Sequence, residues 1–382
     1  MDAANTLTGL LSDLISFKSD EEEREIAEYI GERLRKKGFN VEIQPLLSNQ
    51  KRANMIAKLG NPTGKRILFQ GHLDVVPAGN EWTVPPFKGT VKDGKVFGRG
   101  AADMKGGLAS IILAAEQLAS EPALLEKNEI ILCFVCDEER QCQGIKRYLS
   151  SSAFAGADYA VIAEPTDLKI CTCHRGSCHY KIRVYGSGSH AARPQMGVNA
   201  IEKGMKVLAA IEEYSNGLKT QLHEFLDPEV ITPTMIRAGI QDNMIPDMCE
   251  IVVDMRMFPG KNAESAISPL STLLDQIAAE DSSFSYDIQI IQEALGGELS
   301  KTAPLVEAAS FVYHDVFSCP ASLKGFDVTC EQSYLLGAGI PTIIFGPGDC
   351  GLAHTPDENV EIKALQNACQ YFYKLAKYLL RQ

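Results

Sequence analysis

Two residues in "GHLDVVP" (71–77) stand out: His72 and Asp74 sit at the end of an apolar run. Residues two apart in a strand point the same way, so an imidazole and a carboxylate there can touch each other or a shared third object. Further along, ionisable residues again follow apolar runs: Asp103 after a Gly-rich turn, Glu138 and Glu139 after "EIILCFVC", Glu164 after "YAVIA", and His354 after "IIFGPGDCGLA". Two imidazoles and several carboxylates are the nitrogen and oxygen donors that suit zinc, with cobalt or manganese as substitutes. Two histidines and three carboxylates can hold two ions if one carboxylate bridges. Such a pair polarises a carbonyl and makes water nucleophilic near neutral pH.

Taken singly, each residue has an ordinary explanation. His72 reads as a core histidine, Asp103 as a helix cap, Glu138 and Glu139 as a solvated turn, and Glu164 as a strand terminus before Pro165. Together they are harder to dismiss. Burying so many ionisable groups near one sheet edge is costly, and a shared cation removes that cost.

The elements that must position them follow from the apolar pattern. Residues 3–17 have helical spacing, and "SDEEERE" from Ser19 reads as an acidic helix start. "FNVEIQP", "NMIAKLG", "RILFQGHLD", "EIILCFVC" and "YAVIAEPTD" read as strands, and 103–119 as a helix opening on a carboxylate. Alternation of apolar strands with helices predicts an α/β sheet covered on both faces, with ligands beyond the strands' carboxyl ends. From about 178 the pattern changes to strand, helix, strand, strand, helix, strand, an α+β (ferredoxin-like) insert. The α/β style then resumes with a helix at 303–316, the strand "PTIIFGPG" and a helix at 361–380. The boundaries expected are 1–177 and 294–382 for one domain and 178–293 for the insert.

Composition narrows the function. A net charge of −12, from 49 acidic and 37 basic residues, argues against nucleic acid or an anionic membrane as partner. No apolar run approaches a membrane span, and the first residues lack the pattern of a signal peptide. Eleven scattered cysteines read as free buried thiols in a reducing compartment, which points to the cytoplasm. Cys133 and Cys136 in "CFVC" read as core packing rather than a zinc site, since a strand turns them to opposite sides.

The series "GHLDVVP", "DGKVFGRGAADMKGG", "DEE", "AEPT", "GSGSHAARPQMGVNAIE", "NMIP", "DMRMFPG", "FGPG" and "AHTPDE" resembles the co-catalytic di-zinc family of acetylornithine deacetylase, succinyl-diaminopimelate desuccinylase, aminoacylase and glutamate carboxypeptidase. "AEPTDLKICTCHRG" and Cys330–Glu331 bring it closest to the acetylornithine deacetylase branch. The resemblance implies a catalytic domain interrupted by a lid and dimerisation domain. It implies that His72, Glu164 and a bridging Asp103 hold one zinc, and that Glu139, His354 and Asp103 hold the other. Asp74 would orient His72, and Glu138 would be the general base and acid. A cis peptide bond is implied after Asp103. His190 would stabilise the oxyanion from a neighbouring subunit. Asn243 and Arg256 would bind the substrate's carboxylate or the oxyanion, Arg256 being otherwise an odd burial in an apolar strand. Backbone N–H groups near Gly346 and Gly348 suit a carboxylate.

The function expected is hydrolysis of the amide of an N-acyl amino acid, acetylornithine deacetylase-like and so linked to arginine biosynthesis, in a homodimer. A desuccinylase, a dipeptidase or a carboxypeptidase would use the same metals with a different pocket. A non-catalytic amino-acid-binding protein would have no need of Glu138 and all five ligands.

Overall fold

Apolar runs in the first part of the chain become strands whose neighbours bury both faces. The computed structural model describes residues 3–382 and divides into two compact units. The first comprises residues up to 173 with 299–324 and 330–382, and the second 174–298 with 325–329. The apolar pattern placed the insert at 178–293 and held no signal for the short return at 325–329.

In the first unit the strands run side by side in the order Asn40–Pro45, Ala53–Gly60, Glu129–Val135, Arg66–His72, Tyr159–Ile162, Thr342–Ile344 and Ile170–His174. Arg66–His72 is parallel to both Glu129–Val135 and Tyr159–Ile162, and Thr342–Ile344 is parallel to the latter. The carboxyl ends of four strands therefore share one edge. Ile67, Phe69, Leu132, Phe134, Val161 and Phe345 pack into one core with the helices Lys105–Leu118, Pro304–Phe317 and Ile362–Leu379. The alternate residues Leu68, Ile131, Cys133 and Ile162 are buried too. Burial of both faces is what a continuous apolar run encodes.

The second unit is an antiparallel sheet in the order Val230–Ala238, Met248–Met257, Gly176–Tyr185, Ser285–Ala294. Here the residues alternate: Tyr180, Ile182 and Val184 face a separate core with Ile251, Val253 and Met255. Helices Ala200–Leu218 and Ala263–Glu280 close that core through Val207, Ile211, Leu270 and Leu274. Asn262 caps the second helix, its side chain accepting from Ser265 N while Ser265 Oγ accepts from Asn262 N. This is the ferredoxin-like order expected, so the fold class read from the sequence stands.

Three local expectations change. The helix expected from Ser19 begins at Arg24; Ser19 instead donates to Leu73 O (2.7 Å) and Glu23 is fully buried. The helix expected from Asp103 spans Lys105–Leu118, so Asp103 does not cap it. Short strands Thr90–Lys92, Lys95–Phe97 and Asn359–Glu361 form a small sheet with no apolar period to announce it. All eleven cysteines are free; Cys133 and Cys136 are buried, whereas Cys319 is exposed. Among the described residues no helix is long and apolar enough to cross a membrane.

Candidate metal centre

His72 is the last residue of its strand, and its ring is buried at the shared carboxyl edge. Its Nε2 lies 3.0 Å from Asp103 Oδ1 and 3.8 Å from Glu164 Oε1. The other Asp103 oxygen, Oδ2, lies 3.5 Å from His354 Nε2, which is also 3.0 Å from Glu139 Oε1. Asp103 thus stands between two imidazoles, with one carboxylate beside each. His72, Asp103 and Glu139 also offer donor atoms that all lie within 4.8 Å of one another.

Donors around a tetrahedral ion with bonds of about 2.0–2.2 Å stand roughly 3.3–3.6 Å apart. The contacts above bracket that value, and the donor set is nitrogen and oxygen only. The residues fit one or two divalent cations of the zinc type.

Charge points the same way. Burial pushes the carboxyls of Glu138 and Glu164 well above the usual carboxylate range, and neighbouring carboxylates add to it while His72 opposes it. Burial and the Asp103 charge raise Glu139 as well. Burial would raise Asp103 too, but its hydrogen bond and attraction to His72, helped by His354, hold it below its ordinary value. Burial works against a charged His72, and the Asp103 and Glu164 carboxylates overcome it, raising the imidazole well above its ordinary value. His354 is raised chiefly by its bond to Glu139. A cation would neutralise this concentration of negative charge.

The supporting contacts differ from those expected. His72 Nδ1 is 2.9 Å from the Asp74 backbone carbonyl, while the Asp74 carboxylate is 3.8 Å away. That carboxylate instead accepts the N–H groups of Glu138 (3.2 Å) and Glu139 (3.1 Å). So Asp74 contacts His72 through its main chain and the Glu138–Glu139 turn through its side chain. The Asp103–Met104 peptide bond is cis. Glu358, which sequence reasoning passed over inside "AHTPDE", accepts the N–H groups of Gly100, Ala102 and Asp103 at 3.1, 2.9 and 3.0 Å. Glu331, quoted only as part of a motif, is buried, accepts from Gln70, and burial pushes it up to about 8.

Gly346 and Gly348 lie against the segment that follows Glu164. The Gly346 N–H is donated to Thr166 Oγ1 (3.1 Å), so it is not the free carboxylate donor expected. A Cβ on Gly346 would meet Ala163 O at 2.5 Å, which explains the glycine by packing. His190, Asn243 and Arg256 lie in the second unit. His190 and Asn243 are exposed neighbours there, Ala191 N donating to Asn243 O at 2.9 Å. Arg256 is not the odd burial expected. It is half-exposed on the polar face of its strand and forks onto Asp254 at 2.9 and 3.1 Å.

The histidine–carboxylate cluster lies wholly within the first unit, and with the fold it defines a hydrolase class. The chain belongs to the peptidase family M20/M25/M40, whose family model matches residues 68–378, and it is a hydrolytic enzyme. It is 30% identical over 356 residues to an acetylornithine deacetylase from Proteus mirabilis (strain HI4320), covering 91% of this chain and 88% of that protein. It is 31% identical over 334 residues to an acetylornithine deacetylase from Salmonella heidelberg (strain SL476), covering 86% and 84%. Among solved structures, a tripeptidase from Staphylococcus aureus superposes with a TM-score of 0.82 at 19% identity, over 99% of both chains. A dinuclear metal-binding peptidase of the M20 family from Bacillus subtilis superposes at 0.76 and 19%, over 99% of this chain and 98% of that one. At such identities these two likenesses speak to the fold.

Proposed function

We propose that the protein hydrolyses the amide bond of an N-acyl amino acid, with N-acetylornithine as the preferred substrate type, using two zinc ions. The observation that carries this reading is Asp103, whose two oxygens face two different histidines at 3.0 and 3.5 Å. His72, Asp103 and Glu164 would hold one ion, and Asp103, Glu139 and His354 the other. When bound, such a pair polarises the scissile carbonyl and lowers the pKa of water. Glu138 takes the proton of the attacking water and returns it to the leaving amine, and its raised affinity for protons suits that exchange. His190 from a partner subunit stabilises the oxyanion, and Asn243 and Arg256 bind the substrate's polar end. The insert at 178–293 serves as lid and dimerisation domain of a cytoplasmic homodimer. Two relatives near 30% identity that carry the deacetylase name support the choice of substrate.

The test is a panel of N-acetylornithine, N-succinyl-diaminopimelate and dipeptides on zinc-reconstituted protein. The acetylated substrate should give the highest kcat/KM; a dipeptide in first place rejects the substrate assignment. Glu138→Ala should keep its metal and lose nearly all turnover, and an active variant rejects Glu138 as the base.

A further inference from the structure

Three buried acids outside the candidate metal set converge on one guanidinium. Arg52 Nε lies 3.1 and 3.0 Å from the two oxygens of Glu23, and its Nη2 donates to Glu23 as well. Nη1 donates to Asp137, and Nη2 stands 4.0 Å from Asp74 Oδ2. Relative exposure is 7% for Arg52, 0% for Glu23, 2% for Asp74 and 1% for Asp137, so water does not share these contacts.

Two of the acids control the turn that carries Glu138. Asp137 precedes it, with φ of +67°, in the left-handed region that non-glycine residues seldom adopt. The second Asp137 oxygen accepts from Gln143 N at 3.2 Å, and the Asp137 carbonyl accepts from Cys142 N at 2.7 Å. Asp74 receives the N–H groups of Glu138 and Glu139. Arg52 therefore binds Asp137 directly and faces Asp74, and Glu23 holds the guanidinium from behind.

We propose that Arg52 is a positioning residue for Glu138: by gripping Asp137, with Asp74 alongside, it fixes the direction in which the Glu138 carboxyl points. This rests on the reading of Glu138 as the base. A planar guanidinium satisfies Glu23 and Asp137 at once, whereas an ammonium is a point charge with no such fork. Arg52→Lys keeps the charge and loses the geometry, which separates positioning from charge balance.

The experiment uses the full chain, zinc-loaded, with the N-acyl amino acid that the wild type turns over best. Arg52→Lys should lower kcat about 10- to 100-fold, as a small misplacement of a catalytic group does. KM should stay within about twofold and metal content should be unchanged. Asp137→Asn should give a comparable loss, and the double variant should be no worse than the worse single one, because both act through one unit. Glu23→Gln, the outermost contact, carries the test if Arg52→Lys does not fold, and should lower kcat in the same way. A lower Tm with unchanged kcat per folded chain overturns the proposal. Glu138→Gln is run alongside. If it turns over substrate, the reading of the base has failed. If it is inert while the Arg52 and Glu23 variants keep full kcat, only the positioning role has failed.

Discussion

Glu358→Gln is an almost isosteric change whose cost can be worked out atom by atom. Oε2 takes Arg99 Nη1 at 2.6 Å and Gly100 N at 3.1 Å; Oε1 takes Ala102 N at 2.9 Å and Asp103 N at 3.0 Å. A carboxamide keeps one of the two oxygens. If its NH₂ faces Ala102 and Asp103, two buried N–H groups lose their acceptor, at about 1–3 kcal/mol each. In either orientation Arg99, which is 2% exposed, loses its counter-charge; if the NH₂ faces it, the buried guanidinium loses its acceptor as well, at about 3–5 kcal/mol. Either way the loop carrying Asp103 loses about 3 kcal/mol of local stability, a factor of about 10² in its opening equilibrium. Hydrogen exchange read by mass spectrometry should show amides 99–104 exchanging about 10²-fold faster. Amides 176–185 of the other unit serve as the internal standard. Zinc affinity should weaken by about 10- to 100-fold, as loss of an outer support does. Unchanged protection at 99–104, or equal loss in both segments, refutes the claim that Glu358 holds this loop.

Three further outcomes are expected. In Gly107→Ala the added Cβ would stand 2.2 Å from Ala163 O, beside Glu164. Calorimetry should show a lower Tm, with a cost of about 1–3 kcal/mol, and an unchanged Tm removes the packing argument. Burial holds the His174 imidazole down at about 4. The unfolded chain takes up a proton below about pH 6.5 while the folded chain stays neutral, so stability is complete above that pH. It should fall by up to roughly 3 kcal/mol as pH drops towards 4, a slope that urea titrations should find missing in His174→Gln. Chelation should lower Tm and added zinc restore it, by about 4 kcal/mol at a thousandfold excess over Kd; identical melting in chelator and zinc rejects the metal centre.

What could be read from the sequence was the edge. His72, Glu139 and Glu164 follow apolar runs, and parallel strands bring such positions together whatever the details of the turns. Asp103 and His354 also follow apolar runs, but their placement depends on a Gly-rich loop and a left-handed turn at His354 (φ +63°) that no periodicity encodes. The partners of each acid were not legible. "SDEEERE" resembles any solvated helix start, yet Glu23 is fully buried because Arg52, 29 residues on, needs it. Arg256 looked buried only because its strand neighbours are apolar; period-two alternation puts it on the polar face. The Gly346 N–H could not be assigned without knowing that Thr166 folds back onto it.

The roles of Asp74 and Glu358 were hidden for a further reason. Two of the turns that deliver candidate ligands are fastened by carboxylates that are not candidate ligands themselves. Asp74 holds the Glu138–Glu139 turn and Glu358 holds the Asp103 loop, each by accepting backbone N–H groups. A carboxylate can serve several N–H donors where a neutral side chain serves fewer, and in a buried loop every unpaired N–H is costly. Fastening the loops this way adds negative charge to a region already rich in it. Arg52 and Arg99 answer that charge from behind, each buried and each paired to an acid outside the metal set. The division of labour is therefore one of direction: acids facing the cluster offer donors that fit a cation, and acids facing the backbone are matched by arginines. Residue type and spacing record how many acids converge on the edge, but only the direction of each carboxylate separates ligand from fastening.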